Sequence, residues 1–407
     1  MPPTFTTRSW LTLIASFFVL TVAFAFGTFA LPPIYPSLVK TFGWSRASVN
    51  MGNSINLLLI GVLSPMVGIL VDKFTARIVI LGGTCVLALA LALQSLTNSL
   101  GQYYAFCVLL GIGTSAVSIL PNSILIGPLF RQWRGLAVGF INAGIGLGGY
   151  IAPILITSQI AQRGVPGTFL VLAACMAIPF LLTIALVRSD GRRSSRPETG
   201  RVPTAAELAR MPLFWIFGVT LFCTAHAMIA IQQNLILYLT GEGVAAIKAA
   251  HVLATAQGAA AIGKLISGIL ADKVSARSGV VFSVVCVMLG ILALLITPPR
   301  SGLVYALAIV FGSGFGGIFN ASPTIVFEHF GTHHVGKALG LFYIFFGLGT
   351  ASGGLLAGYL FDRTHSYSTP FTVDLVLAGV ALLLLLATRR QTRRPPRVPA
   401  VALSAAA

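Results

Sequence analysis

The sequence predicts an all-α membrane protein with twelve transmembrane helices in two six-helix, pseudo-symmetric bundles. Three observations predict it. Of 407 residues, 56% are hydrophobic and 9% charged, against about 25% charged in ordinary soluble proteins. The apolar residues lie in runs of about 20, the length that crosses a bilayer. A charged decapeptide occurs twice, once in each half of the chain. These features exclude most soluble enzymes, nucleic-acid binders and disordered chains.

Taken in order, the runs give spans at 10–34, 47–71, 77–97, 102–128, 135–160, 166–187, 212–239, 247–271, 278–297, 302–327, 335–361 and 370–388. The first resembles a signal peptide, but it lacks a convincing cleavage site and similar runs follow, so it is read as a retained span. Pro32-Pro33 is expected to break it, and Pro323, just after Asn320 and Ser322, to kink the tenth. Only one connection is long, the Arg-, Ser-, Pro- and Gly-rich segment 188–211. It sets the domains: a first bundle at 1–188, a linker at 189–211, a second bundle at 212–390, and a tail at 391–407 read as disordered. The five cysteines sit in apolar runs without paired spacing and read as packing residues. No metal-ligand cluster, P-loop or catalytic constellation is present, and no cofactor is expected; His333-His334 falls in a loop.

Lys and Arg orient the chain. With the N-terminus inside, 19 basic residues fall on the cytoplasmic side and 6 on the other. Both termini and the long linker are therefore expected in the cytoplasm of a cell in whose inner or plasma membrane the chain sits. The net charge of +17 is thus a topology signal, with the basic tail 389–397 facing anionic lipid and no nucleic-acid partner implied.

GILVDKFTAR at Gly68–Arg77 recurs as GILADKVSAR at Gly268–Arg277, with seven of ten positions identical. Both copies end the second span of their half. RGLAVG at 134–139 is echoed by VGKALG at 335–340. Duplicated halves of this kind mark transporters that rock around a central site. Gly68 and Gly268 would permit close helix approach. Asp72 and Asp272 would cap a neighbouring helix or pair with Arg77 and Arg277, and Lys73 and Lys273 complete the charged loop. Such contacts would latch the cytoplasmic face in one conformation and break in the other.

Twelve spans, a long middle loop and GxxxDKxxxR after spans 2 and 8 resemble the major facilitator superfamily. Within it the chain is similar to the monocarboxylate transporters and the bacterial oxalate:formate antiporters. The residues that carry this are Phe42-Gly-Trp-Ser-Arg46, Phe130-x-x-Trp-Arg-Gly-Leu-Ala-x-Gly139 and Met211-Pro-Leu-Phe-Trp215. The resemblance implies the major facilitator fold and alternating access.

The nine acidic residues fall in loops or near span ends, Asp374 among them, so no carboxylate is expected near the midplane. One cation is: Lys264, in AIGKLISG of span 8. An ionisable residue there is costly and functional by default, although a lysine can also snorkel to the surface. The resemblance implies that an Arg four residues before the motif Gly binds substrate carboxylate; here that position is Lys264, with Ser64 as its first-half counterpart. Two departures follow. The Asp that the proton-coupled relatives carry four residues before that Arg is Ala260 here. The second cation of the oxalate carriers, in span 11, has Phe346 near its place. One cation suits one carboxylate.

Polar residues within spans complete the candidate substrate contacts. His226 and Gln233 share a face of span 7, lining a cavity or packing. Ser115, Ser118 and Asn122 make a stripe in span 4, or a back-bonded serine pair. Asn142 lies on a Gly-rich face of span 5, suited to helix packing as much as to ligand contact. Asn320 in span 10 and Tyr343 in span 11 are further candidates, Tyr343 as a carboxylate donor or a groove filler. The expected function is transport of a small monocarboxylate anion of the lactate or pyruvate class by a monomer. Either protons are the coupling partner, through Lys264, His226 or the substrate itself, or one anion exchanges for another. The nearest rival is an antiporter of other organic anions such as oxalate and formate. Intramembrane enzyme, nutrient sensor and drug-efflux roles are the more distant rivals.

Overall fold

A computed structural model describes residues 7–130, 134–187, 210–330 and 335–387, apart from the side chains of 8, 134–135, 272, 276, 319–330, 335–341 and 343. The linker up to 209, the tail, His333-His334 and the side chains of Asn320, Tyr343 and Asp272 lie outside the described residues. The first half comprises α1 (Thr7–Gly27), α2 (Leu31–Phe42), α3 (Arg46–Val62), α4 (Ser64–Phe74), α5 (Ala76–Gln94), α6 (Leu100–Ala116), α7 (Ile119–Ile126), α8 (Arg134–Cys175) and α9 (Ala177–Leu186). The second comprises α10 (Pro212–Gly241), α11 (Ala246–Lys273), α12 (Ala276–Ile296), α13 (Leu303–Phe330), α14 (Val335–Thr364) and α15 (Ser368–Ala387).

Among the described residues, nine helical stretches are long and apolar enough to cross a membrane, or ten if the pair α3–α4, bent by 52°, counts as one span. Twelve are expected from the runs, and two features account for the difference. The apolar stretch Leu136–Leu186 is 51 residues long. At about 1.5 Å per residue that is about 76 Å, more than twice a hydrocarbon core of about 30 Å. Gly164, in a left-handed, non-helical conformation (φ +67°), turns the chain within it. The second is α13, a 28-residue helix of which only the described side chains, Leu303–Ile318, enter that count.

Local chemistry sets the breaks. Pro32 and Pro33 do not end the first span: they occupy the first turn of α2, where a missing N–H costs nothing. The helix restarts there and runs on to Phe42, closing on left-handed Gly43 (φ +66°). Pro65 similarly opens α4 after the bend at Leu63. In the second half, α11 runs unbroken through the equivalent region for 28 residues. The two halves thus differ in shape as well as chemistry where Ser64 and Lys264 correspond.

Glycines set the tightest packing in the second half. A Cβ at Gly312 or Gly316 of α13 would overlap the carbonyls of Ala256 or Ala260 on α11, a small-residue approach that gains van der Waals contact. Ala260 is therefore buried against a neighbouring helix. Gly68 behaves otherwise: a Cβ there would meet only Leu120, at an ordinary 3.8 Å. The expected close approach at Gly68 is not made in this conformation, and Gly268 is half-buried.

The duplicated motif shows the same economy in both halves. Arg77 donates to the carbonyl of Ile184 (2.9 Å) at the end of α9. Arg277 donates to the carbonyl of Leu386 (3.0 Å) at the end of α15. Each arginine satisfies a terminal carbonyl that its helix leaves open and ties the third span of its half to the sixth. This corrects the expected Asp72–Arg77 pairing. Asp72 is exposed, and among the described residues it neither caps a helix nor pairs with Arg77. Lys73 is exposed and lies over the Phe74 ring (5.2 Å); Lys273 is exposed.

Candidate functional site

The halves meet through α3 against α14, α8 against α11 and α2 against α10. The polar contacts between them cluster on the face away from Thr7, where α2 ends and α3 begins. Ser45 caps α3 by accepting from Ser48 N–H (3.1 Å). That leaves the next N–H groups open, and the other half supplies their acceptor. Asp362 of α14 accepts from Arg46 N–H through Oδ1 and from Ala47 N–H through Oδ2, both at 2.9 Å. A carboxylate on a helix N-terminus is stabilised by the helix dipole. The Arg46 guanidinium lies 3.5 Å from the centre of the Phe361 ring and 4.9 Å from that of Tyr367.

Deeper in the membrane the seal continues. Asn50 Nδ2 donates to Asn234 Oδ1 (2.9 Å), and Tyr367 Oη donates to the same oxygen (3.2 Å). Asn234 Nδ2 donates back to Ala230 O (3.0 Å), and Tyr35 Oη donates to Gln233 Oε1 (3.4 Å). The Phe42-Gly-Trp-Ser-Arg46 run is thereby explained: Phe42 stacks on Trp44, Gly43 ends one helix, Ser45 begins the next, and Arg46 reaches the opposite half. The structure is closed on this face.

The sequence-derived candidates fall in different places. His226 is buried on α10. Its Nδ1 is 2.8 Å from Ser352 Oγ of α14, and its Nε2 is 3.6 Å from Asp374 Oδ1 of α15. Asp374 lies near the start of α15, as expected of an acid, but is 1% exposed. Lys264 is half-buried on α11, the helix that packs on α8 of the other half and on α13. Ser267 Oγ, nearby on α11, bonds the carbonyls of Lys264 (3.2 Å) and Gly317 (3.1 Å). The stripe Ser115–Ser118–Asn122 is interrupted, because the helix breaks between α6 and α7. Ser115 Oγ donates back to Gly111 O (2.6 Å), and Asn122 Nδ2 donates to Val117 O (3.1 Å), which Pro121 leaves without an N–H partner, and to Ser118 O (3.0 Å). Asn142 is half-buried. The structure thus brings His226 together with Ser352 and Asp374, and shows no contact of theirs with Asn122 or Ser118.

Asn50, Asn53, Asn234, Asp362 and Asp374 were not singled out from sequence. Asn50, Asn53 and Asn56 do carry a signal, a three-residue spacing on an apolar span. Asn53 and Asn56 bond each other (3.1 Å), and Asn56 Nδ2 donates to the carbonyl of Gly27 at the end of α1 (2.7 Å).

Two halves of long apolar helices, joined on one face by polar contacts between them, are the architecture of a multi-pass membrane transporter. The chain belongs to the Major Facilitator Superfamily, whose family model matches residues 17–343 and 250–406. It is 25% identical to the MFS transporter asaE of Aspergillus flavus, covering 84% of this chain and 77% of that protein. It is 25% identical to the oxalate:formate antiporter of Oxalobacter formigenes (86% and 85%) and 26% identical to monocarboxylate transporter 13 of Bos taurus (93% and 89%). A crystal structure of the nucleoside transporter NupG shares the fold, with a TM-score of 0.77 at 16% identity over 94% of this chain and 98% of that one.

Proposed function

We propose that this protein carries a small monocarboxylate of the lactate or pyruvate class across the cell membrane by alternating access, as a monomer with both termini in the cytoplasm. Lys264 binds the carboxylate. The observation that carries the reading is this lysine, half-buried within an unbroken 28-residue apolar helix that packs on the other half. It lies nine residues before the helix end at Lys273, about 13 Å along the axis at about 1.5 Å per residue. A cation held at that depth costs free energy unless it meets an anion or another polar group, and a substrate carboxylate is an anion of the right kind. The relatives that are named for monocarboxylates and for oxalate and formate support an organic-anion substrate. The repeated DK-x-x-x-R loops at Asp72, Lys73, Arg77 and Lys273, Arg277, with Asp272, serve the cytoplasmic gate.

In this account the present state is closed on the face away from the termini, and the anion reaches Lys264 from the other side. Transport follows when occupied and empty halves rock past the seal at Asp362 and Asn234. Exchange of oxalate or formate is the second reading, favoured by the antiporter relative. Against it stands half-buried, uncharged Phe346 near the place of a second cation. Purified protein in liposomes tests both. Labelled lactate and pyruvate should enter, Lys264→Ala should abolish uptake and Lys264→Arg should retain part of it. Tight oxalate exchange without lactate transport would favour the second reading.

A further inference from the structure

The pair formed by His226 and Asp374 has no place in the carboxylate site above, and its setting is chemically unusual. Asp374 is 1% exposed and His226 3% exposed. Asp374 Oδ1 lies 3.6 Å from His226 Nε2, while its Oδ2 is buried and has no hydrogen-bond partner among the described residues. The other imidazole nitrogen is engaged at 2.8 Å by Ser352 Oγ, which in turn donates to Gly349 O (3.1 Å). Three helices, α10, α14 and α15, thus meet at one titratable pair. Among the other elements packed on α10, α2 carries Tyr35, α11 carries Lys264 and α12 carries Cys286 as further titratable groups.

A bare carboxylate beside a neutral imidazole, with one oxygen given no protein hydrogen bond among the described residues, is the costly arrangement in so apolar a setting. Adding one proton removes the cost, whether it rests on Asp374 Oδ2 or on the imidazole as an ion pair. We propose that His226, Asp374 and Ser352 form a proton-binding site, and that it carries the proton that accompanies the substrate anion. The inference rests on the transport reading above and names its coupling ion. The balance is simple: one proton is taken from water on one side, held by the pair while the anion is bound, and released to water on the other. The proton and the monocarboxylate together move no net charge.

The site is placed to sense the conformational change. Gly349 and Gly353 of α14 seat directly on the backbone of α10 at Phe222 and His226. Two turns further along α10, Asn234 joins the interhalf seal through Asn50, and α14 carries Asp362, the other half of that seal. Sliding α14 past α10 would therefore change the Ser352–His226 contact and the seal together, and would let water reach Asp374.

The test uses the full-length protein in liposomes, with lactate as probe. In the wild type an inside-alkaline gradient should drive accumulation. In Asp374→Asn the ratio of gradient-driven accumulation to equilibrium exchange should fall tenfold or more. Asp374→Glu should restore part of it, and Ser352→Ala should shift the pH midpoint of accumulation. An unchanged ratio in Asp374→Asn would overturn the proposal. A readout that needs no substrate separates this claim from the transport reading. In purified protein near pH 7, infrared spectra should show a protonated carboxyl band, or 15N spectra an imidazolium, that is lost in Asp374→Asn. An ionised Asp374 beside a neutral His226 would overturn the site even if lactate is transported. If lactate is not transported but the proton is found, the substrate reading fails and the proton site stands.

Discussion

Removing the Asp362 carboxylate should unlatch the closed face. The carboxylate accepts two N–H groups of the other half, each at 2.9 Å, at the first turn of α3. Hydrogen bonds to a charged group contribute about 1.5–3 kcal/mol each when buried. Asp362 is half-exposed, so about 1 kcal/mol each is the safer figure, with about 0.5 kcal/mol more from the helix dipole. The total of about 2.5 kcal/mol corresponds to a change of about 60-fold in the open-to-closed ratio, at about 1.4 kcal/mol per factor of ten. Asp362→Asn keeps one acceptor oxygen and should move the ratio about tenfold. Spin labels at Lys40 and Lys248, exposed residues near the closed face on opposite halves, would report the change as a longer-distance population. That population should be larger in Asp362→Ala than in Asp362→Asn, and smallest in the wild type. Identical distance distributions in all three would refute the latch.

Two further outcomes follow from the packing and the backbone. Gly316→Ala places a Cβ on the carbonyl of Ala260, whereas Gly139→Ala meets nothing within 4 Å. The first should sharply reduce the yield of monodisperse protein on size-exclusion chromatography and the second should not; equal yields would contradict the α11–α13 contact. Thr75, in the first copy of the repeated motif, has φ +86°, a conformation that costs a β-branched residue about 1–3 kcal/mol. Thr75→Gly should raise the thermal unfolding temperature, with a net gain of about 1 kcal/mol after the added chain entropy of glycine.

Much of this molecule was legible in its sequence, because a bilayer imposes simple rules. Apolar runs, a charge bias and a decapeptide repeated 200 residues on lead directly to a duplicated helical bundle. Lys264 was legible too, since a charge within an apolar run needs no tertiary knowledge to stand out. The seal between halves was not. Asn50, Asn234 and Tyr367 are uncharged, fit their spans, and acquire meaning only when α3 meets α10 and the start of α15. Asp374 lay near the start of a run, where an acid is unremarkable; its burial comes from the helices that cover it. The stripe at Ser115, Ser118 and Asn122 assumed one helix, and at the break between α6 and α7 Asn122 Nδ2 bonds the carbonyls of Val117 and Ser118 instead. A latch at Asp72 is expected in one conformation and broken in the other, and here Asp72 is exposed.

The central claim is that Lys264 holds the substrate carboxylate. The most direct measurement is lactate and pyruvate binding and uptake by purified Lys264→Ala and Lys264→Arg beside the wild type, with folding checked by thermal stability. The account predicts folded proteins, loss of binding and uptake in the alanine variant, and partial retention in the arginine variant. Wild-type uptake by Lys264→Ala would contradict it.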